Sequence, residues 1–111
     1  MDPKEAILKE NLDEYTELGE VAIKSKKYNS AVTLFFKAIC AAVDIFILRK
    51  EKEVPSSHTE RFRICREKHP PLYELLDKDF PFYTEGYNKR MDKESAEMIR
   101  DDCRKIEAML K

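Results

Sequence analysis

The chain has 111 residues, with 21 Lys and Arg against 22 Asp and Glu, so its net charge is −1. That length is one domain, and the charge balance excludes both a generally basic nucleic-acid binder and an acidic tail protein. Hydrophobic residues at 42% suffice for a core, while only 2 Gly and no Trp argue against a sandwich or barrel of many short strands.

The first helix is predicted to begin at Asp2, with Pro3 as its first residue and Glu5 reaching back as in a capping box. Ile7, Leu8, Leu12, Tyr15, Leu18, Ala22 and Ile23 recur at three- and four-residue steps and mark one apolar stripe. The turn at Ser25 to Asn29 is short, so the second helix must fold back antiparallel. It is predicted over 29–50, capped by Asn29 or Ser30. Its apolar residues cover far more than one face, as in the central helix of a bundle or in one that also packs on a second molecule. Self-association is expected on that ground. Lys37 and Asp44 interrupt the apolar run, which argues against a membrane span because each ion would cost about 2.5–3.5 kcal/mol near a bilayer centre.

A polar connection follows, and Ser57-His58-Thr59-Glu60 is a second capping-box pattern that opens the third helix. Phe62 and Cys65 point inward, and Pro70-Pro71 ends the helix near His69. Leu72 to Leu76 reads as a short helical piece, interrupted over 79–83, with another short turn of helix over 83–89. Asp92 caps the last helix, whose stripe is Ala96, Ile99, Cys103, Ile106 and Leu110. The expected fold is all-α, an antiparallel up-and-down bundle of four to five helices, with residues 1–111 in a single domain.

Cys40, Cys65 and Cys103 lie far apart and form no C-x-x-C pair, so they read as small core residues in a reducing, cytoplasmic setting. The amino end lacks the basic-then-apolar profile of a signal peptide. Abundant Lys and Glu beside scarce Asn and Gln also fit a heat-adapted source. With two histidines and no E-x-x-H or H-E-x-x-H motif, no metal centre and no cofactor are expected.

Four groups of residues can carry chemistry. Lys37 and Asp44 are seven apart on the second helix, hence on nearly one face, and an ion there must be paired or at a cleft mouth. One reading is a polar site between helices with Asp44 near His58 or Arg61; the other is a plain salt bridge or surface strip. His58, at the start of the third helix, titrates near physiological pH. Arg63 and His69 could hold a phosphate and move a proton in RNA cleavage, or belong to a solvated charged face. Tyr83 and Tyr87, with Tyr73, Phe80 and Phe82, could stack a base or plug the end of the bundle.

Two resemblances extend this reading. Leu18-Gly19-x-x-Ala22 followed by Tyr28-x-x-Ala31-x-x-x-Phe35-x-x-Ala38 resembles a tetratricopeptide unit over about a third of the chain, which would imply a protein-binding adaptor. A long first helix, Tyr28-x-x-Ala31 opening an apolar second helix, Ser57-His58 opening the third, and Tyr83 and Tyr87 before the last resemble the HEPN-domain family. That resemblance covers most of the chain. It implies a small helical bundle of prokaryotic type, usually a homodimer, that associates with nucleotides or RNA, often beside a separate nucleotidyltransferase. Ligand contacts would then come from Lys37, Asp44, His58, Arg61, Tyr83 and Tyr87. It also implies an alternative, a metal-independent ribonuclease of toxin type using Arg63 and His69, whose spacing meets the family's count. Ile64 follows Arg63, where active members often carry a polar residue.

Overall fold

A computed structural model describes residues 2–111. Five helices and no strand are present among them: α1 (Pro3–Lys24), α2 (Tyr28–Glu51), α3 (His58–Lys68), α4 (Pro70–Glu85) and α5 (Lys93–Met109). The all-α bundle is as the sequence predicts. The strand-free outcome follows from long apolar stripes at helical period and from few turn residues.

The α2 helix is the axis. Ala31, Val32, Phe35, Phe36, Ile39, Val43, Ile45 and Ile47 are all buried, and α1, α4 and α5 pack around them. Burying each of the large side chains contributes about 1.5–3 kcal/mol. By length and composition α2 could cross a membrane, but 78% of its apolar window is buried inside the protein. Its breadth is therefore covered within one chain, which removes the ground on which self-association is expected from the sequence. Of the exposed apolar residues, Ile7, Leu18 and Val21 share one outer face of α1, while Tyr87 lies beyond α4 and Met109 at the end of α5.

Side-chain pairs set the direction of each helix. Arg49 at the end of α2 meets Glu5 at the start of α1 at 2.8 Å, so these two run antiparallel. Glu5 is thus committed to Arg49 and does not close a capping box; Asp2 alone caps α1, accepting from the Lys4 N–H at 2.7 Å. Neither Asn29 nor Ser30 caps α2, which starts at Tyr28 without a side-chain cap. Asn29 instead donates to the Gly86 and Lys89 carbonyls and accepts from the Met91 N–H, tying the start of α2 to the link before α5. Arg49 also donates to the Leu110 carbonyl just beyond α5, so α5 lies parallel to α2.

Arg61 pairs with Asp44 and Lys68 with Glu51, each at a separation of 17 residues, so α3 tracks the second half of α2 in the same direction. Ser57 caps it, accepting from the Glu60 N–H. The chain then reverses at His69 into α4. Contrary to the predicted interruption over 79–83, α4 is continuous through Pro81. Pro81 and Asp77, whose carbonyl loses its amide partner, are both exposed, so solvent can take the freed bond. Asp92 caps α5 as predicted, accepting from the Ser95 N–H at 2.8 Å.

Gly19 explains how closely α1 and α2 approach. A Cβ there would lie 2.7 Å from the buried Phe35 ring. Gly19→Ala is expected to destabilise the protein by about 1–3 kcal/mol through overpacking, although Ala is the better helix former. A urea midpoint equal to or above that of the wild type would overturn this account of the crossing.

Candidate functional site

The polar residues of α2 and α3 meet beside α1. Asp44 is buried on α2, one turn beyond Cys40, and α3 brings Arg61 directly against it. Asp44 Oδ1 accepts from Arg61 Nε at 2.7 Å and Oδ2 from Nη2 at 2.9 Å, a bidentate pair. Burial pushes the Asp44 carboxyl above its ordinary value, and the Arg61 hydrogen bonds pull it back. Both oxygens accept from a guanidinium, so the carboxyl is ionised.

Arg61 Nη1 lies 2.8 Å from His58 Nδ1. A guanidinium can only donate, so Nδ1 accepts and the neutral ring carries its hydrogen on Nε2. Burial and then the Arg61 charge hold the His58 pKa below its ordinary value, so the ring is neutral at pH 7. Asp44, Arg61 and His58 form one relay that fixes both the tautomer and the orientation of the imidazole.

Above this relay is a cavity of about 220 Å³ between α1, α2, α3 and α4. Leu8, Asn11 and Tyr15 line one side; Phe36, Lys37, Cys40, Ala41 and Asp44 form the floor; His58 and Tyr83 close the other side. Tyr83 stacks on Phe36 with centroids 4.9 Å apart, and its hydroxyl lies 3.2 Å from that of Tyr87. That hydrogen bond and burial push the Tyr83 pKa up to about 12, so the phenol stays protonated. Burial pushes the Cys40 thiol up to about 11, which makes it a poor nucleophile at neutral pH. Lys37 forms no ion pair among the described residues.

The structure therefore gathers Lys37, Asp44, His58 and Tyr83 around one cavity, with Arg61 beneath and Tyr87 at the edge. It does not gather Arg63 and His69. Arg63 faces solvent and pairs with Glu67 at 3.1 Å. His69 sits at the α3–α4 joint, 3.1 Å from Glu51 and edge-on to Phe46. Arg63 lies on the exposed side of α3 and His69 just beyond its end, and they share no cavity.

A second polar cluster has no counterpart among the residues singled out by sequence. Asp79 of α4 and Asp102 of α5 are both buried. Asp79 finds no hydrogen-bond donor among the described residues. Lys78 Nζ lies 2.8 Å from Asp102 Oδ2, and Lys105 Nζ lies 3.5 Å from Oδ1. Burial, together with Asp102, pushes the Asp79 pKa up to about 8. Burial acts the same way on Asp102, but the hydrogen bond from Asp79 and the Lys78 ammonium outweigh it and hold that pKa below its ordinary value. The two acids share one proton, held on Asp79. A signal is present in the sequence: Asp79 lies three residues after Leu76 and Asp102 three after Ile99, each on the apolar stripe of its helix. The described residues hold no group of three or more His, Cys, Asp or Glu suited to a metal ion.

No protein-family model matches the chain, and no curated protein or solved structure matches it.

Proposed function

We propose that the chain is a HEPN-like binding module that takes a nucleotide or an RNA segment in the cavity above the Asp44–Arg61–His58 relay. The observation that carries this reading is Lys37, an ammonium without a carboxylate partner, on the same small cavity as the Tyr83 ring and a neutral imidazole. An unpaired cation, an aromatic face and a fixed N–H donor are what a phosphate and a base require. The reading also takes over the partners implied by the resemblance, a second copy of the chain and a separate nucleotidyltransferase. The free, buried cysteines fit a reducing compartment.

The ribonuclease alternative is weaker, because Arg63 and His69 each face a different carboxylate. The adaptor alternative rests on a single helical hairpin, whereas such repeats need about three copies to bury a continuous core.

Titration with nucleoside monophosphates is expected to shift the amide resonances of Lys37, Ala41, His58 and Tyr83 saturably. Lys37→Ala is expected to weaken binding about tenfold or more, the worth of one charge-assisted hydrogen bond. Amide shifts that do not move at millimolar ligand would remove the reading.

A further inference from the structure

We propose that the ligand path continues past His58 into a second cleft, so that the chain binds a single-stranded oligonucleotide of at least two nucleotides in preference to a mononucleotide. This inference rests on the nucleotide reading of the first cavity and names the ligand class for it.

His58 lines both spaces. On its far side is a cleft of about 440 Å³ bounded by Thr59, Phe62, Arg63, Arg66 and Phe80. Thr59, Phe62, Arg63 and Arg66 follow one another at i, i+3, i+4 and i+7, so a single stripe of α3 forms its wall. Phe62 and Phe80 meet edge to face at 5.3 Å, and Phe62 is half-buried, so aromatic surface remains open at the floor. Arg66 forms no ion pair among the described residues. Arg63 is held only by the exposed Glu67, a pair that contributes little and exchanges readily.

The two clefts repeat one chemistry. Each joins an aromatic platform to a cation, Tyr83 with Lys37 on one side and Phe62 and Phe80 with Arg63 and Arg66 on the other. Between them stands an imidazole whose Nδ1 is taken by Arg61, leaving Nε2–H as its one free donor. Base, phosphate, base is the period of a polynucleotide strand, and platforms alternating with cations are what tracks it. The bridging phosphodiester would lie between His58 and the Arg63 and Arg66 guanidinium groups, with one base in each cleft. Because His58 is neutral, it would bind that phosphate as a hydrogen-bond donor and not as an ion.

The test compares a 5′-phosphorylated mononucleotide with the dinucleotide and tetranucleotide of the same base, and with a Glu-Phe-Glu peptide, by isothermal titration against the whole chain. The dinucleotide is expected to bind at least tenfold more tightly than the mononucleotide. In Arg63→Ala/Arg66→Ala that ratio is expected to fall towards one. The salt dependence of dinucleotide binding is expected to flatten by about 0.7 in the log–log slope for each phosphate that the variant leaves without a cation. Both arginines are exposed, and the comparison in the wild type stands even if the double variant folds poorly. Equal affinity for mono- and dinucleotide would overturn the second cleft and leave the first-cavity reading intact. Binding of neither would remove both. Preference for the peptide would overturn the inference in favour of a protein ligand.

Discussion

Asp44→Ala is expected to destabilise the protein by about 3–5 kcal/mol, because it leaves the Arg61 guanidinium buried without its counter-ion. The Arg61 and Asp44 side chains are nearly enclosed, 11% and 8% exposed, so solvent replaces the missing bonds only in part. Asp44→Leu/Arg61→Met removes both charges together and is expected to recover most of that stability, since well-packed apolar replacements of a buried pair are often neutral. The double variant separates structure from function. In it His58 loses the donor at Nδ1, and the Arg61 charge that lowers its pKa goes together with the Asp44 charge that raises it, so with burial unchanged the pKa is expected to rise only slightly, read from ring proton shifts against pH. Nucleotide affinity is expected to fall although the fold persists. A double variant as unstable as the single one, or one that binds as the wild type does, would contradict the role given to the relay.

Asp79→Asn is expected to stabilise the protein, and to do so more strongly as pH rises. The folded chain keeps a proton on Asp79 up to about pH 8, whereas an unfolded Asp releases it near its ordinary value of 3.8. The unfolded state therefore binds fewer protons in that window, and stability falls as pH rises through it, by at most about 1.4 kcal/mol per pH unit. Above the folded value the loss is complete. Asp102 acts in the opposite sense: its depressed value contributes stability above the ordinary carboxylate range and is lost in acid. An Asn at 79 keeps an N–H towards Asp102 but has no charge to suppress. The stability gap between variant and wild type, read from urea midpoints, is expected to widen from pH 5 to pH 9. A gap that stays constant, or a variant less stable at pH 9, would show that the two acids do not share a proton.

Much of the bundle is legible in the sequence because its signals are local. Ser57 and Asp92 read as helix caps, and their hydroxyl and carboxylate do accept from the N–H three residues on. An ion inside the apolar run of α2 points to a partner, and Asp44 has Arg61. What the sequence hides depends on distant neighbours. Glu5 and Asn29 have the right residue types for caps at either end of the first hairpin, yet each is claimed by a partner far along the chain, Arg49 and the 86–91 link. Pro81 reads as a breaker, but its effect depends on which side of α4 meets water. Asp79 reads as part of that break, although its place on the Leu72–Leu76 stripe puts it in the core. The count from Arg63 to His69 ignores the helical period, which sends six-residue neighbours to different faces.

The fastening of α5 to the start of α2 through Asn29 bears on how the chain opens. The α1–α2 hairpin closes over a tight turn, whereas α5 returns to α2 across 60 residues or more. Closing that long loop costs more entropy than closing the hairpin turn, a cost that the Asn29 bonds help to offset in holding α5. Once detached, it would take Asp102 away from Asp79 and let water reach both. Deprotonation of Asp79 and release of the terminal helix are thus linked, each lowering the cost of the other, so alkaline solution is expected to weaken the hold on α5 before that on the α1–α2 hairpin.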